Sequence, residues 1–164
     1  MKRTFAAAAF AIAALASTAA QATAITANGQ WNEFFFAGVG SSFDQGYTFT
    51  LTESAVLRVT DAYLSGDQFE VFNFGTSLGV TSLPTLGDDV QNDFDGAYLN
   101  PNFSHGEWTL SAGTYSITGT VLLSPYNSGA AALSLSPVPE ADALVLSLSG
   151  LALIGLLARR RIGR

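Results

Sequence analysis

The densest run of chemically capable side chains is Asp88-Asp89, Asp93 and Asp95-Gly96. Hard oxygen donors at such close spacing suit Ca²⁺, which accepts about six to eight of them in flexible geometry. The EF-hand template does not fit this run. With Gly96 as its glycine, the first ligand position falls on Gln91 and the twelfth on Asn102. A second acidic group joins Asp61, Asp67 and Glu70 around the Gly66 turn. Parity places Asp61 on the inward face of its strand, where a carboxylate needs a partner. Arg58 can serve only if the strand bulges. For both groups the plain alternative to a calcium site is a solvated, charged loop.

His105 is the single histidine, beside Ser104. A hydrolytic triad needs a base oriented by a carboxylate and a nucleophile presented on a strained turn, which adjacent residues of one extended loop cannot supply. There is no Gly-x-Ser-x-Gly motif, and one histidine without cysteine does not build a usual zinc site. No catalytic residue is assigned, and the chain reads as a non-enzyme without a resident cofactor, calcium excepted. Aromatic residues raise saccharide binding instead, because rings stack on pyranose faces among Asp and Asn side chains. Tyr98, Phe103 and Tyr126 stand in loops rich in Asp, Asn and Ser and are the expected ligand contacts; most other rings are expected in the core.

The elements that must position these residues are strands. Tyr47-Thr48-Phe49-Thr50-Leu51-Thr52 alternates apolar and hydroxyl residues, which buries one face of a strand and wets the other. The same reading gives strands at Gln30–Phe36, Ala55–Leu64 (Leu57, Val59 and Tyr63 inward), Gln68–Phe74, Ser77–Thr81, Glu107–Leu110, Thr114–Leu123 and Ala130–Ser136. A loop runs from Ser82 to about Gly106, and no helical periodicity is seen before the C-terminal tail. Seven or eight short strands with regular turn signals predict an all-β fold, a single antiparallel sandwich of jelly-roll type over residues 23–137. Zero cysteines leave core burial as the source of stability. Within 23–138 one cation, Arg58, faces eleven acids, a formal charge of −10. Such a domain repels nucleic acid and anionic membranes.

The run Tyr47–Val71, with Leu110-Ser111-Ala112-Gly113-Thr114-Tyr115, resembles the extracellular β-sandwich modules known as pre-peptidase C-terminal domains. The resemblance implies a non-catalytic accessory or binding module.

Both ends of the chain read as export signals. Lys2 and Arg3 precede the apolar stretch Phe5–Ala16, the pattern of a secretory signal peptide over residues 1–22. Ala20-Gln21-Ala22 offers cleavage before Thr23, and Ala22-Thr23-Ala24 a second choice. At the other end, residues 138–164 hold Val138-Pro139-Glu140-Ala141, an uncharged run 143–158, and Arg159, Arg160, Arg161 and Arg164. As a helix that run reaches roughly 24 Å, short of the ~30 Å hydrocarbon core; the arginines extend it by snorkelling and, as a cationic flank, stay on the cytoplasmic side. A transmembrane helix at 143–158 is expected, with everything before Pro139 outside.

This three-part order resembles the PEP-CTERM sorting domain of Gram-negative bacteria, which usually has a second proline where this chain has Ala141. The resemblance implies processing by an exosortase, a membrane-embedded cysteine transpeptidase-like enzyme. It further implies transient residence in the inner membrane with the domain periplasmic, then a cell-surface or extracellular location. The role it implies is structural or adhesive, in a matrix of exopolysaccharide or biofilm; the alternatives are a lectin-like carbohydrate-binding module or a calcium-binding one.

Overall fold

The computed structural model describes residues 22–138. Ala20, Pro139, Glu140, Ala141, the 143–158 run and the four terminal arginines lie outside them. Among the described residues no helix is long and apolar enough to cross a membrane.

The chain folds as an all-β sandwich. Its strands are β1 (Ala22–Ala24), β2 (Trp31–Ala37), β3 (Gly46–Leu51), β4 (Ala55–Asp61), β5 (Tyr63–Leu64), β6 (Gln68–Asn73), β7 (Thr76–Val80) and β8 (Asp89–Gln91). After helix α1 (Phe94–Leu99) come β9 (His105–Leu110), β10 (Gly113–Leu123) and β11 (Ser128–Pro137). One sheet has the order β1-β3-β10-β6-β7 and the other β2-β11-β4-β9. Leaving aside β1, which runs parallel to β3, the strand pairs are antiparallel and the eight long strands interleave as a jelly roll does. A two-stranded ribbon, β5-β8, stands apart.

Side-chain alternation drives this assembly. In β3, Tyr47, Phe49 and Leu51 are buried while Thr50 is exposed; in β10, Ile117, Gly119 and Val121 are buried while Thr118 is exposed. β4 and β11 lie in register with Leu57 opposite Leu135 and Val59 opposite Leu133, all four fully buried. Aromatic bulk fills the centre. The Phe34 and Phe43 rings stack with centroids 3.8 Å apart, and Phe69 meets Phe34, Phe36 and Phe43 edge-on at 5.9, 5.0 and 5.7 Å. Edge-to-face and offset contacts of this kind exceed what area burial alone supplies.

Three sequence expectations are corrected. The stretch 82–106 holds a helix, α1, and the short strand β8, not loop alone. Ala55–Leu64 is not one strand: it breaks at Ala62, and Tyr63 adopts a positive φ of 59°. That rotation ends the alternation, so Tyr63 stands outside the core. Phe103 is fully buried rather than displayed in a loop, which removes it from any surface that meets a ligand.

Gly119 is the tightest point of the core, since a Cβ there would run into the Phe43 ring. Gly119→Ala is expected to cost about 1–3 kcal/mol by overpacking, more than the unfolded-state entropy it removes. Thermal unfolding should show a melting temperature lower by roughly 4–8 °C per kcal/mol. An unchanged or raised melting temperature would mean that the ring yields freely.

Candidate functional site

The acidic run 88–95 is spent on building structure. Asp93 caps α1, its carboxylate accepting the Gly96 amide at 2.9 Å. A Cβ at Gly96 would press on that carboxylate and push it out of its capping position. Asp95 accepts the Trp31 indole N–H at 2.8 Å, and Asp89 accepts the Gln91 amide at 2.9 Å. Asp88 takes the side-chain amides of Asn100 and Asn102 at 2.8 and 2.9 Å, which hold its pKa below the usual carboxylate range. Each carboxylate thus serves a different donor. Among the described residues no three His, Cys, Asp or Glu side chains converge on one point.

Ser104 and His105 point to different partners. The Ser104 hydroxyl is buried and accepts from Thr81 Oγ1 at 3.1 Å, whereas His105 Nδ1 lies 3.0 Å from the Phe103 carbonyl. A carbonyl only accepts, so Nδ1 carries the proton there. Tyr98 is likewise occupied. Its hydroxyl donates to Glu107 at 2.7 Å, its ring packs 5.9 Å from Trp31, and the Arg58 guanidinium sits 5.1 Å over it. Arg58 also donates to Glu107 at 2.9 Å. This cluster seats α1 on the sheet formed by β2, β4, β9 and β11, and leaves Arg58 engaged well away from Asp61.

Asp61 and Asp67 do come together; Glu70 does not, accepting instead from Ser77 Oγ at 2.6 Å. Asp61 is fully buried at the end of β4. Its Oδ1 accepts the Ala62 amide at 2.8 Å, and its Oδ2 accepts the amides of Gly66 and Asp67, both at 3.0 Å. Three amide donors therefore tie the crossover 62–67 back to the strand it leaves. Burial, then the neighbouring Asp67 charge, pushes the Asp61 pKa up to about 8 against those amides. Asp67 is 2 % exposed, and burial pushes its pKa up to about 6 despite Ser124 beside it. Neither Asp67 Oδ1 nor Ser124 Oγ has a hydrogen-bond partner of good geometry within the protein.

Above this pair opens a groove of about 540 Å³. Its walls are the crossover, the end of β2, the start of β11 and the loop at Tyr126. Phe35, Tyr63, Leu64 and Tyr126 supply exposed apolar surface, and Asp67 contributes the acid. Tyr63 is held by its hydroxyl, which donates to Glu33 Oε1 at 2.7 Å. Tyr63 and Asn127, the neighbour of Tyr126, both take positive φ (59° and 62°), which is costly for a bulky residue such as Tyr63 and ordinary for an Asn in a turn. Of the three expected ligand contacts, only Tyr126 reaches this groove. Phe35 and Tyr63 were not legible as its partners, because one sits in a strand and the other in a crossover whose path depends on Asp61.

No family model matches the chain, and no curated protein matches it. Among solved structures it is similar to the pre-peptidase C-terminal domain of a collagenase from Bacillus anthracis, at 11 % identity over 71 % of this chain and 95 % of that one, with a TM-score of 0.43.

The buried acid pair sets a pH dependence. Both folded pKa values lie above the unfolded value of 3.8, so between about pH 4 and pH 8 the folded chain keeps protons that the unfolded chain has released. Stability therefore falls as pH rises through that window. The Asp67 share alone, about 1 kcal/mol, corresponds to roughly 4–8 °C, so the melting temperature at pH 8 should lie below that at pH 5 by at least that much. Asp67→Asn should shrink that difference; a curve that rises from pH 5 to pH 8 would contradict the assignment.

Proposed function

We propose that this chain is an exported, non-catalytic β-sandwich module that binds saccharide in the groove between the 62–67 crossover and the Tyr126 loop. It acts as an adhesive component of extracellular polysaccharide. The aromatic lining carries the reading: Phe35, Tyr63 and Tyr126 present ring surface around one cavity, with polar groups at its base. Sugar rings pair an apolar face with hydroxyl edges, and a site of mixed character suits them. Tyr63, held at a positive φ on the rim, supports the same reading, because that conformation is costly for a bulky residue.

Export and retention are part of the proposal and stand on the residues at either end. The leader over residues 1–22 delivers the domain across the inner membrane. The PEP-CTERM-like tail, from Val138 to Arg164, holds it there until an exosortase-like enzyme cuts near Pro139-Glu140-Ala141. The Val138 amide donates to the Ser54 carbonyl at 3.1 Å, so a cut beyond Ala141 leaves the sandwich whole.

Two measurements test this. A glycan array probed with the full chain should show saturable binding, and Tyr126→Ala should weaken it about ten-fold with little change in melting temperature. Tyr126 is 45 % exposed and can be removed without opening the core. Native binding unaffected by Tyr126→Ala, or no binding at all, would sink the groove assignment. Mass spectrometry of the protein released from its host should find chains that end near Ala141; released chains that retain 143–158 would contradict processing.

A further inference from the structure

The saccharide reading leaves one feature of the groove unexplained. Its acid, Asp67, is 2 % exposed and has an oxygen, Oδ1, without any hydrogen-bond partner. A buried carboxylate in that condition is costly unless a donor or a cation meets it. The protein sets one hydroxyl beside it, Ser124 Oγ, which makes no hydrogen bond of good geometry, and it brings no cation. Arg58 is the sole Lys or Arg among the described residues, and Glu107 and the Tyr98 ring hold it. The amides of Ala62, Gly66 and Asp67 are already committed to Asp61, and that of Ser65 to the Asp88 carbonyl. Asp61 adds a second acid beneath the first, and its raised pKa leaves Asp67 as the charged group there at neutral pH.

Around this acid stand the rings of Phe35, Tyr63 and Tyr126. Ring faces attract cations electrostatically, and more strongly where water is excluded. An acid and several rings about one cavity form the environment that an organic ammonium group prefers. We infer that the groove takes an amino sugar whose nitrogen is free and charged, with Asp67 as its counter-ion and the three rings as its cage. The inference rests on the saccharide reading and narrows it to one chemical class. A neutral sugar hydroxyl could donate to Oδ1 but would leave the charge uncompensated. A lysine side chain brings the charge on a narrow stem, without the ring face that a groove of about 540 Å³ has room to cover. The formal charge of −10 on residues 23–138 draws polycations toward the module at long range.

The test is a calorimetric titration of the full chain, kept in mild detergent at neutral pH, with three probes: a glucosamine tetramer, its fully N-acetylated counterpart, and a tetralysine peptide. The glucosamine tetramer should bind about ten-fold tighter than the acetylated one. Asp67→Asn, nearly isosteric and relieved of a buried charge, should bring the two within about two-fold of each other. Tyr126→Ala should weaken both by about ten-fold. Glu53→Gln, an exposed acid on the β3–β4 turn, should change neither. Equal binding of the two tetramers by the native chain overturns the ammonium assignment and leaves the saccharide reading standing. Failure of both tetramers to bind overturns the amino-sugar assignment, and a blank glycan array beside it overturns the saccharide reading as well. A preference that persists in Asp67→Asn, or that Glu53→Gln weakens as much, shows general charge attraction and also overturns it. Tighter binding of tetralysine than of the glucosamine tetramer assigns the site to a peptide instead.

Discussion

Asp61 is the constraint on which the arrangement turns. It lies where β4 leaves one sheet and the chain crosses to β6 in the other. A fully buried carboxylate at such a point needs donors, and it finds them in the amides of Ala62, Gly66 and Asp67. Those bonds curl the crossover into a compact loop. They bring Asp67 down beside the strand end and turn Tyr63 outward through a positive φ. Gly66 completes the loop at φ 150°, with Leu86 and Pro125 packed where a Cβ would stand. One wall of the groove is therefore a by-product of satisfying a single acid.

The rest of the acid complement divides by the same logic. Wherever a carboxylate in the 88–95 run meets a neutral donor, it caps, bridges or staples: Asp93 starts α1, Asp95 holds the indole of Trp31, and Asp88 gathers Asn100 and Asn102. These acids are exposed or half-exposed and serve local geometry. The Asp61–Asp67 pair differs in being buried, close enough to interact, and only partly supplied with donors. Burial, rather than local density of acids along the chain, separates structure-building carboxylates from the one with unspent capacity.

That distinction explains what the sequence could disclose. Strands announce themselves by alternation: the Tyr47–Leu51 run, Leu57 with Val59, Phe69 with Val71, and Leu133 with Leu135 all point inward as their parity requires. The inward placement of Asp61 was legible in the same way. Parity fails at Tyr63, because one residue of irregular backbone at Ala62 resets it. Helix α1 is six residues long, too short to show a period, and depends on a cap by Asp93 that looks in sequence like one more acid of a cluster. Strand β1 has three residues and pairs only through its backbone with β3. Phe103 looked exposed among Asn and Ser, yet a loop folded over a sheet face can bury its own ring. The groove joins residues from positions 35, 63, 67 and 126, and nothing local links them.

Strand β11 has a mechanical meaning. Its first residues, Ser128 to Ala130, edge the groove, and its last, Pro137, lies one residue before the Val138 amide that bonds to Ser54. A tug between a bound polymer and a membrane-held tail would travel along this one strand. β11 is clasped on both sides, by β2 and by β4, and the ladder bonds lie across its axis. Such a pull loads many of them in shear at once instead of peeling them singly, so the module resists best a force applied along β11, the direction in which the proposed ligand and the proposed anchor would pull.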